Sequence, residues 1–234
     1  MQPILWAAMG TGFTFLMTSL GAAVVFFFRR QVTASAQRIF LGFAAGVMIA
    51  ASVWSLLIPA IEEAEGAGQV GWVPAAGGFV LGVAFLMALD GILPHLHPGA
   101  REPEGARSKL HRTTLLIFAV TLHNIPEGMA VGLSFALAAQ HNDPALYAGA
   151  MALAVGMGIQ NFPEGAAISL PLRSEGAKAS HAFALGALSG LVEPVFGILV
   201  VLVASSIQPI MPWLLAFAAG SMMYVVVEEL IAEA

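Results

Sequence analysis

The sequence predicts an all-α, polytopic membrane helix bundle, and three observations predict it. Hydrophobic residues make up 59 % of the 234 residues and charged residues only 10 %, against roughly 25 % charged in a soluble domain. The mean hydropathy is +0.86. The apolar residues gather into seven stretches, each near the roughly 20 residues that a bilayer crossing needs. So few charges cannot cover a water-facing surface, which excludes a soluble globule. The same composition excludes intrinsic disorder. Nine Lys and Arg against fourteen Asp and Glu leave a net charge of −5 and no basic block, so no nucleic-acid partner is expected. The absence of cysteine excludes disulfides, thiolate metal sites and Cys nucleophiles.

The spans follow in order. The first covers 3–28; no basic residue precedes Arg29, so it lacks the charged start of a signal peptide and reads as a true span. The second covers 38–61 and stops at Glu62 and Glu63. The third covers 72–94 and carries Asp90 in MALDG. The fourth, 113–138, contains HNIPEG, and the fifth, 145–171, contains QNFPEG. The sixth, 180–206, carries Glu193 before Pro194. The seventh, 210–232, ends with Glu228 and Glu229. None alternates like the strands of a membrane barrel. Backbone polar groups in lipid must pair within their own element, which leaves helices. The whole of 1–234 reads as one transmembrane domain.

All nine basic residues lie at odd-numbered connections: Arg29, Arg30 and Arg38 at the first, Arg101, Arg107, Lys109 and Arg112 at the third, Arg173 and Lys178 at the fifth. The even connections carry Glu62, Glu63, Glu65 and Asp143 but no Lys or Arg. The positive-inside rule puts the odd connections in the cytoplasm and the N-terminus outside, in a cell inner (plasma) membrane.

Two internal repeats stand out. LGFAAGVM (41–48) resembles LAFAAGSM (215–222), in a register that continues to Leu56 opposite Leu230. The second and seventh spans cross in opposite directions, so these copies are inverted, a plan common in secondary transporters. HNIPEG (123–128) matches QNFPEG (160–165) on consecutive, antiparallel spans. After the second span comes a third. After its partner, the seventh, a complete inverted repeat needs an eighth span, which the sequence ending at Ala234 does not carry.

An ionisable residue at mid-membrane costs a few kcal/mol on insertion scales. Here several cluster. His123 and Glu127 are four apart and share a helix face, Gln160 and Glu164 repeat that spacing, and Asn124 and Asn161 lie one position round. Pro126 and Pro163 lack an N–H and free the carbonyls of Leu122 and Ile159. No Lys or Arg lies inside a span to balance Glu127, Glu164 and Glu193. Either these acids are protonated or they hold cations. Imidazole, carboxylate and amide oxygen together suit a divalent metal such as zinc, iron, manganese or cadmium. For a single amide such as Asn161, hydrogen-bonding between helices is an equal reading.

HNIPEG on the fourth span, QNFPEG on the fifth and Glu193–Pro194 on the sixth resemble the ZIP (Zrt/Irt-like) divalent metal transporters, prokaryotic type. The resemblance covers essentially the whole chain, and the paired motifs are highly specific. It implies eight spans with both termini outside, one more than this sequence provides. It implies a binuclear metal centre between spans four, five and six. Residue by residue, one site uses His123, Glu127, Gln160 and Glu164; the second uses Asn124, Asn161 and Glu193 and shares Glu127 and Glu164. Many relatives carry Asp or His where Asn161 and Gln160 stand, so the neutral pair is a departure. The implied cargo is a divalent ion, zinc first, with cadmium, iron and manganese as others, moved toward the cytoplasm by alternating access. A homodimer is the implied protein partner.

Further residues carry two readings each. Glu228 and Glu229, and Asp90 near the inner end of span three, read as exit-path metal ligands or as solvated and interfacial helix ends. His95, His97 and His111, in the cytoplasmic loop 95–112, read as weak metal ligands or as incidental residues of a flexible loop. His141 precedes a turn before Pro144. A metalloenzyme needs an open metal position and a general base; the chain has no HExxH pattern and no Ser–His pairing, so no enzyme activity is expected. A metal channel with the same ligands stays open beside a carrier.

Overall fold

The computed structural model describes residues 2–28, 34–92 and 112–232. The chain runs α1 (Gln2–Ala23), α2 (Ala34–Ala50), α3 (Ile58–Gly66), α4 (Trp72–Ile92), α5 (Arg112–His141), α6 (Pro144–Ser174), α7 (Ala179–Ser189), α8 (Val192–Ile207) and α9 (Met211–Val225). Among the described residues there is no strand. Six segments are long and apolar enough to cross a membrane: Pro3–Phe26, Arg38–Gly66, Trp72–Ile92, Pro144–Ser174, Ala179–Ala204 and Gln208–Ile231. The remaining expected span, the fourth, is α5, 30 residues long, but His123, Asn124 and Glu127 dilute its apolar character. The all-α polytopic bundle read from composition is therefore the observed class. Its outer faces carry exposed Leu16, Phe43, Trp54, Leu81, Phe85 and Leu202, a surface that suits lipid tails and not water.

Helix direction can be read from the packing. Gly78 of α4 meets Trp213 and Ala216 of α9, and Gly82 meets Phe217 and Ser221, so spans three and seven are parallel. Gly10 meets Ala154, Gly158 meets Phe13, and Gly165 meets Thr18 and Ala22, so spans one and five are parallel. Gly128 meets Glu193 and Gly132 meets Gly197 and Val200, so spans four and six are parallel. Odd spans pair with odd and even with even, as alternate crossings require. Small residues set these contacts because lipid supplies no hydrophobic drive between helices and close backbone approach must replace it.

Span two is not a regular α-helix throughout. Ala51–Leu57 is π-helical and leads directly into α3. The amide of Ile58 bonds back to Val53, five residues away. Pro59 then falls at the start of the regular turn, where its missing N–H costs least. This carries the span to Gly66, beyond the expected end at 61. Span seven does the same: α9 passes into π-helical Val226–Ile231. The register that sets Leu41 opposite Leu215 sets Ala51 opposite Val225 and Leu57 opposite Ile231, so both copies change helix type at the same place. They also pack head to tail, α2 against Val226–Ile231 and α9 against Ala51–Leu57. The inverted relation read from sequence is thus present in the backbone.

Span six, expected as one helix over 180–206, is broken at Gly190–Leu191 between α7 and α8. Pro194 falls in the first turn of α8, where its missing N–H leaves no intrahelical bond unmade. The amide of Glu193 bonds to the carbonyl of Gly190 at 3.1 Å and bridges the gap. Between the fourth and fifth spans, Asp143 caps α6 by accepting from the amide of Ala145 at 2.8 Å, with Pro144 at the first helical position. The turn read before Pro144 is this cap. His141 stands 2.6 Å from Glu63 of α3.

Candidate metal centre

The two PEG-containing helices cross antiparallel, with the α7–α8 break beside them. Both helices run through their prolines without interruption. Gly128 lets α5 lie against the backbone of Glu193, where a Cβ would strike the Glu193 carbonyl. Gly165 does the same for α6 against the carbonyl of Thr18 on α1. These approaches fix where the polar side chains meet.

His123, Asn124, Glu127, Gln160, Asn161 and Glu193 are all buried, and Glu164 is partly buried. A hydrogen-bonded chain joins three spans. Gln160 Nε2 donates to Glu127 Oε1 at 2.9 Å and to Asn161 Oδ1 at 2.8 Å. Asn161 Nδ2 donates to Glu193 Oε2 at 2.9 Å. Asn124 Nδ2 donates to the carbonyl of Ser189 at 3.2 Å, a carbonyl released by the break in span six. Glu164 lies beside His123 and Asn124. All seven residues assigned to the two sites therefore lie in one polar layer.

Three acceptor atoms in this layer are buried without a donor: Glu127 Oε2, Glu164 Oε1 and Asn124 Oδ1. A buried oxygen left without a partner costs about 1–3 kcal/mol. All three are oxygens, and no Lys or Arg lies in these spans to serve them. That donor set fits a cation. Among the described residues, His, Asp and Glu side chains alone do not form a group of three able to hold a metal ion. The amide N–H groups of Gln160 and Asn161 face the carboxylates of Glu127 and Glu193.

Residues 99–234 match the family model described as ZIP Zinc transporter. The chain is 38 % identical to the zinc transporter ZIP11 of Xenopus tropicalis, with all of this chain and 90 % of that protein covered. It is 39 % identical to the zinc transporter GufA of Myxococcus xanthus, over 92 % of this chain and 83 % of that one. It is 37 % identical to the zinc transporter ZIPB of Bordetella bronchiseptica, over 97 % of this chain and 72 % of that one. The chain belongs to the ZIP family. This is a family of membrane transporters and not of enzymes, and prokaryotic members are among the relatives of this ZIP chain.

The remaining candidate residues of this ZIP chain separate in the structure. Glu229 is buried and stands 2.9 Å from His123, so it joins the polar layer. Glu228, its neighbour, is exposed. Adjacent positions on a helix point about 100° apart, and sequence treated the two as a pair. Asp90 is buried on α4, which runs parallel to α9 and brings Asp90 toward the level of the Glu228–Glu229 turn. His95, His97 and His111 lie outside the described residues. One group was missed altogether. Thr11, Thr14 and Thr18 of span one are fully buried, and Thr18 Oγ1 stands 3.4 Å from Glu193 Oε1. Their spacing of three and four residues on one helix face was the available signal.

Proposed function

We propose that this chain carries zinc, and with it related divalent ions such as cadmium, iron and manganese, across a cell inner membrane toward the cytoplasm. The observation that carries the reading is the set of donorless buried oxygens on Glu127, Glu164 and Asn124. The metal is cargo, held in a binuclear centre between spans four, five and six. His123, Glu127, Gln160 and Glu164 make one site. Asn124, Asn161 and Glu193 make the second and share Glu127 and Glu164. The zinc-transporter names of the relatives support zinc as the first substrate. The distribution of Lys and Arg supports an N-terminus outside.

Loading follows from the hydrogen bonds. A divalent ion entering the layer replaces the amide N–H groups as the partner of Glu127 and Glu193. Gln160 and Asn161 rotate and offer their carbonyl oxygens instead. The carboxylates and the imidazole bind as deprotonated ligands, so metal binding releases any protons they hold. Alternating access moves the second and seventh spans, the inverted copies, against spans four and five. Their matched π-helical stretches support this, because such segments interrupt the regular helix and recur at functional sites. Metal leaves past His123 and Glu229 toward Asp90, Glu228 and the cytoplasmic loop 95–112. The chain works as one transporter domain over 1–234, within a homodimer.

The test is zinc flux in proteoliposomes of fixed orientation. A carrier gives saturable uptake and counterflow of labelled zinc into vesicles preloaded with unlabelled zinc. Uptake without counterflow supports a channel instead.

A further inference from the structure

Span one carries three threonines on one face, and all three are fully buried. Two behave as threonines in membrane helices ordinarily do, returning the hydroxyl proton to the turn before. Thr11 Oγ1 donates to the carbonyl of Ala7 at 2.7 Å, and Thr14 Oγ1 to that of Thr11 at 2.9 Å. Thr18 differs. Its bond to the carbonyl of Thr14 is longer, at 3.2 Å, and its hydroxyl has a second acceptor, Glu193 Oε1, at 3.4 Å. Thr14, one turn away, also faces Glu193.

The surroundings of Thr18 are fixed on every side. The break in span six sits directly on it, and a Cβ added at Gly190 would meet the Cβ, Cγ2 and Oγ1 of Thr18 at 3.0 Å each. Three residues later Glu193 opens the first turn of α8. The carboxylate of Glu193 thus has a donor group facing each oxygen from a different span, the Thr18 proton being shared with the carbonyl of Thr14. Asn161 Nδ2 of span five serves Oε2 at 2.9 Å, and Thr18 serves Oε1.

We propose that Thr18 is a positioning residue of the metal centre, its hydroxyl holding one oxygen of Glu193, Oε1, so that the other, Oε2, is turned toward the second site. This rests on the metal-transport reading given above. Thr18 touches Glu193 and not the cargo. When metal draws the Asn161 amide away from Oε2, Thr18 still holds Oε1, and the freed oxygen points to the ion. Without the hydroxyl the carboxylate can rotate, and the site loses affinity more than speed. Span one, which contributes no ligand, thereby sets the affinity of a site built on spans four to six.

The experiment compares zinc uptake in proteoliposomes by wild type, Thr18→Val, Thr18→Ser and Glu127→Ala. Valine keeps the shape against Gly190 and removes the donor; serine keeps the donor and removes the methyl group. The expected result is a KM raised about three- to tenfold in Thr18→Val, the range for one lost hydrogen bond. The maximal rate stays within about twofold, and Thr18→Ser restores the wild-type KM. An unchanged KM in Thr18→Val overturns the proposal. So does equal impairment of the valine and serine variants, because packing and not the hydroxyl would then be responsible. If Thr18→Val does not accumulate in the membrane, the smaller Thr18→Ala takes its place, with the same two readings. Undiminished uptake by Glu127→Ala is a different failure: it removes the metal-centre reading itself, whatever Thr18 does.

Discussion

Glu229 Oε1 of the seventh span lies 2.9 Å from His123 Nε2 of the fourth. This contact joins one copy of the inverted repeat to the helix that carries three of the seven proposed metal ligands. It sits within the π-helical stretch Val226–Ile231, where a change of helix type alters which residue faces inward.

Glu229 and Glu228 should therefore behave differently. Glu229→Ala removes a buried neighbour of the imidazole proposed as a metal ligand, and loss of such a neighbour typically costs about 10–100-fold in metal affinity or activity. Glu228→Ala removes an exposed acid, and surface changes usually stay within about 0.5 kcal/mol, near twofold. Zinc uptake at limiting zinc, scaled to protein in the membrane, measures both.

Gly128 and Gly46 make a second contrast. A Cβ at Gly128 strikes the backbone of Glu193, whereas one at Gly46 meets nothing within 4 Å. Gly128→Ala should destabilise by about 1–3 kcal/mol, a fall in Tm of roughly 3–10 °C for a chain of this size. Gly46→Ala should leave Tm unchanged or raise it, because alanine favours helix. Thermal unfolding in detergent reads both.

The neutral pair Gln160 and Asn161 gives a third prediction. Asn161→Asp replaces the N–H donor to Glu193 by another carboxylate. Without zinc, the variant loses the hydrogen bond from Asn161 to Glu193, about 0.5–1.5 kcal/mol, and unfolds at a lower temperature than wild type. Added zinc supplies the missing positive charge, so its stabilising effect is larger in the variant. Zinc at about 100 times Kd stabilises by about 2.7 kcal/mol, which unfolding with and without zinc resolves. An equal zinc shift in both proteins places Asn161 away from the metal.

The helical class and the polar layer were legible because each rests on local signals. Span length and apolar content need no tertiary information, and HNIPEG and QNFPEG carry their polar residues at helical spacing within a few residues. The break in span six was half legible: Pro194 announced it, but a proline in a membrane helix kinks as readily as it breaks, and the close seat of Gly190 on Thr18 decides between them. The π-helical stretches were not legible, since the same residues form an α-helix equally well and only the packing of the two copies selects the wider turn. Glu228 and Glu229 look alike in sequence; which one turns to His123 depends on the rotation of a helix that the sequence does not state. Thr18 was passed over because one threonine in an apolar span is unremarkable until its neighbour is known to be Glu193.

The most direct test of the central claim is saturable zinc uptake by proteoliposomes containing wild type, Glu127→Ala or Glu164→Ala. These two residues supply two of the three donorless oxygens and are shared by both proposed sites. The predicted result is saturable uptake by the wild type and its loss in both variants, each inserted and folded as the wild type is. Uptake retained by both variants, with unaltered KM, would contradict a metal path through this layer.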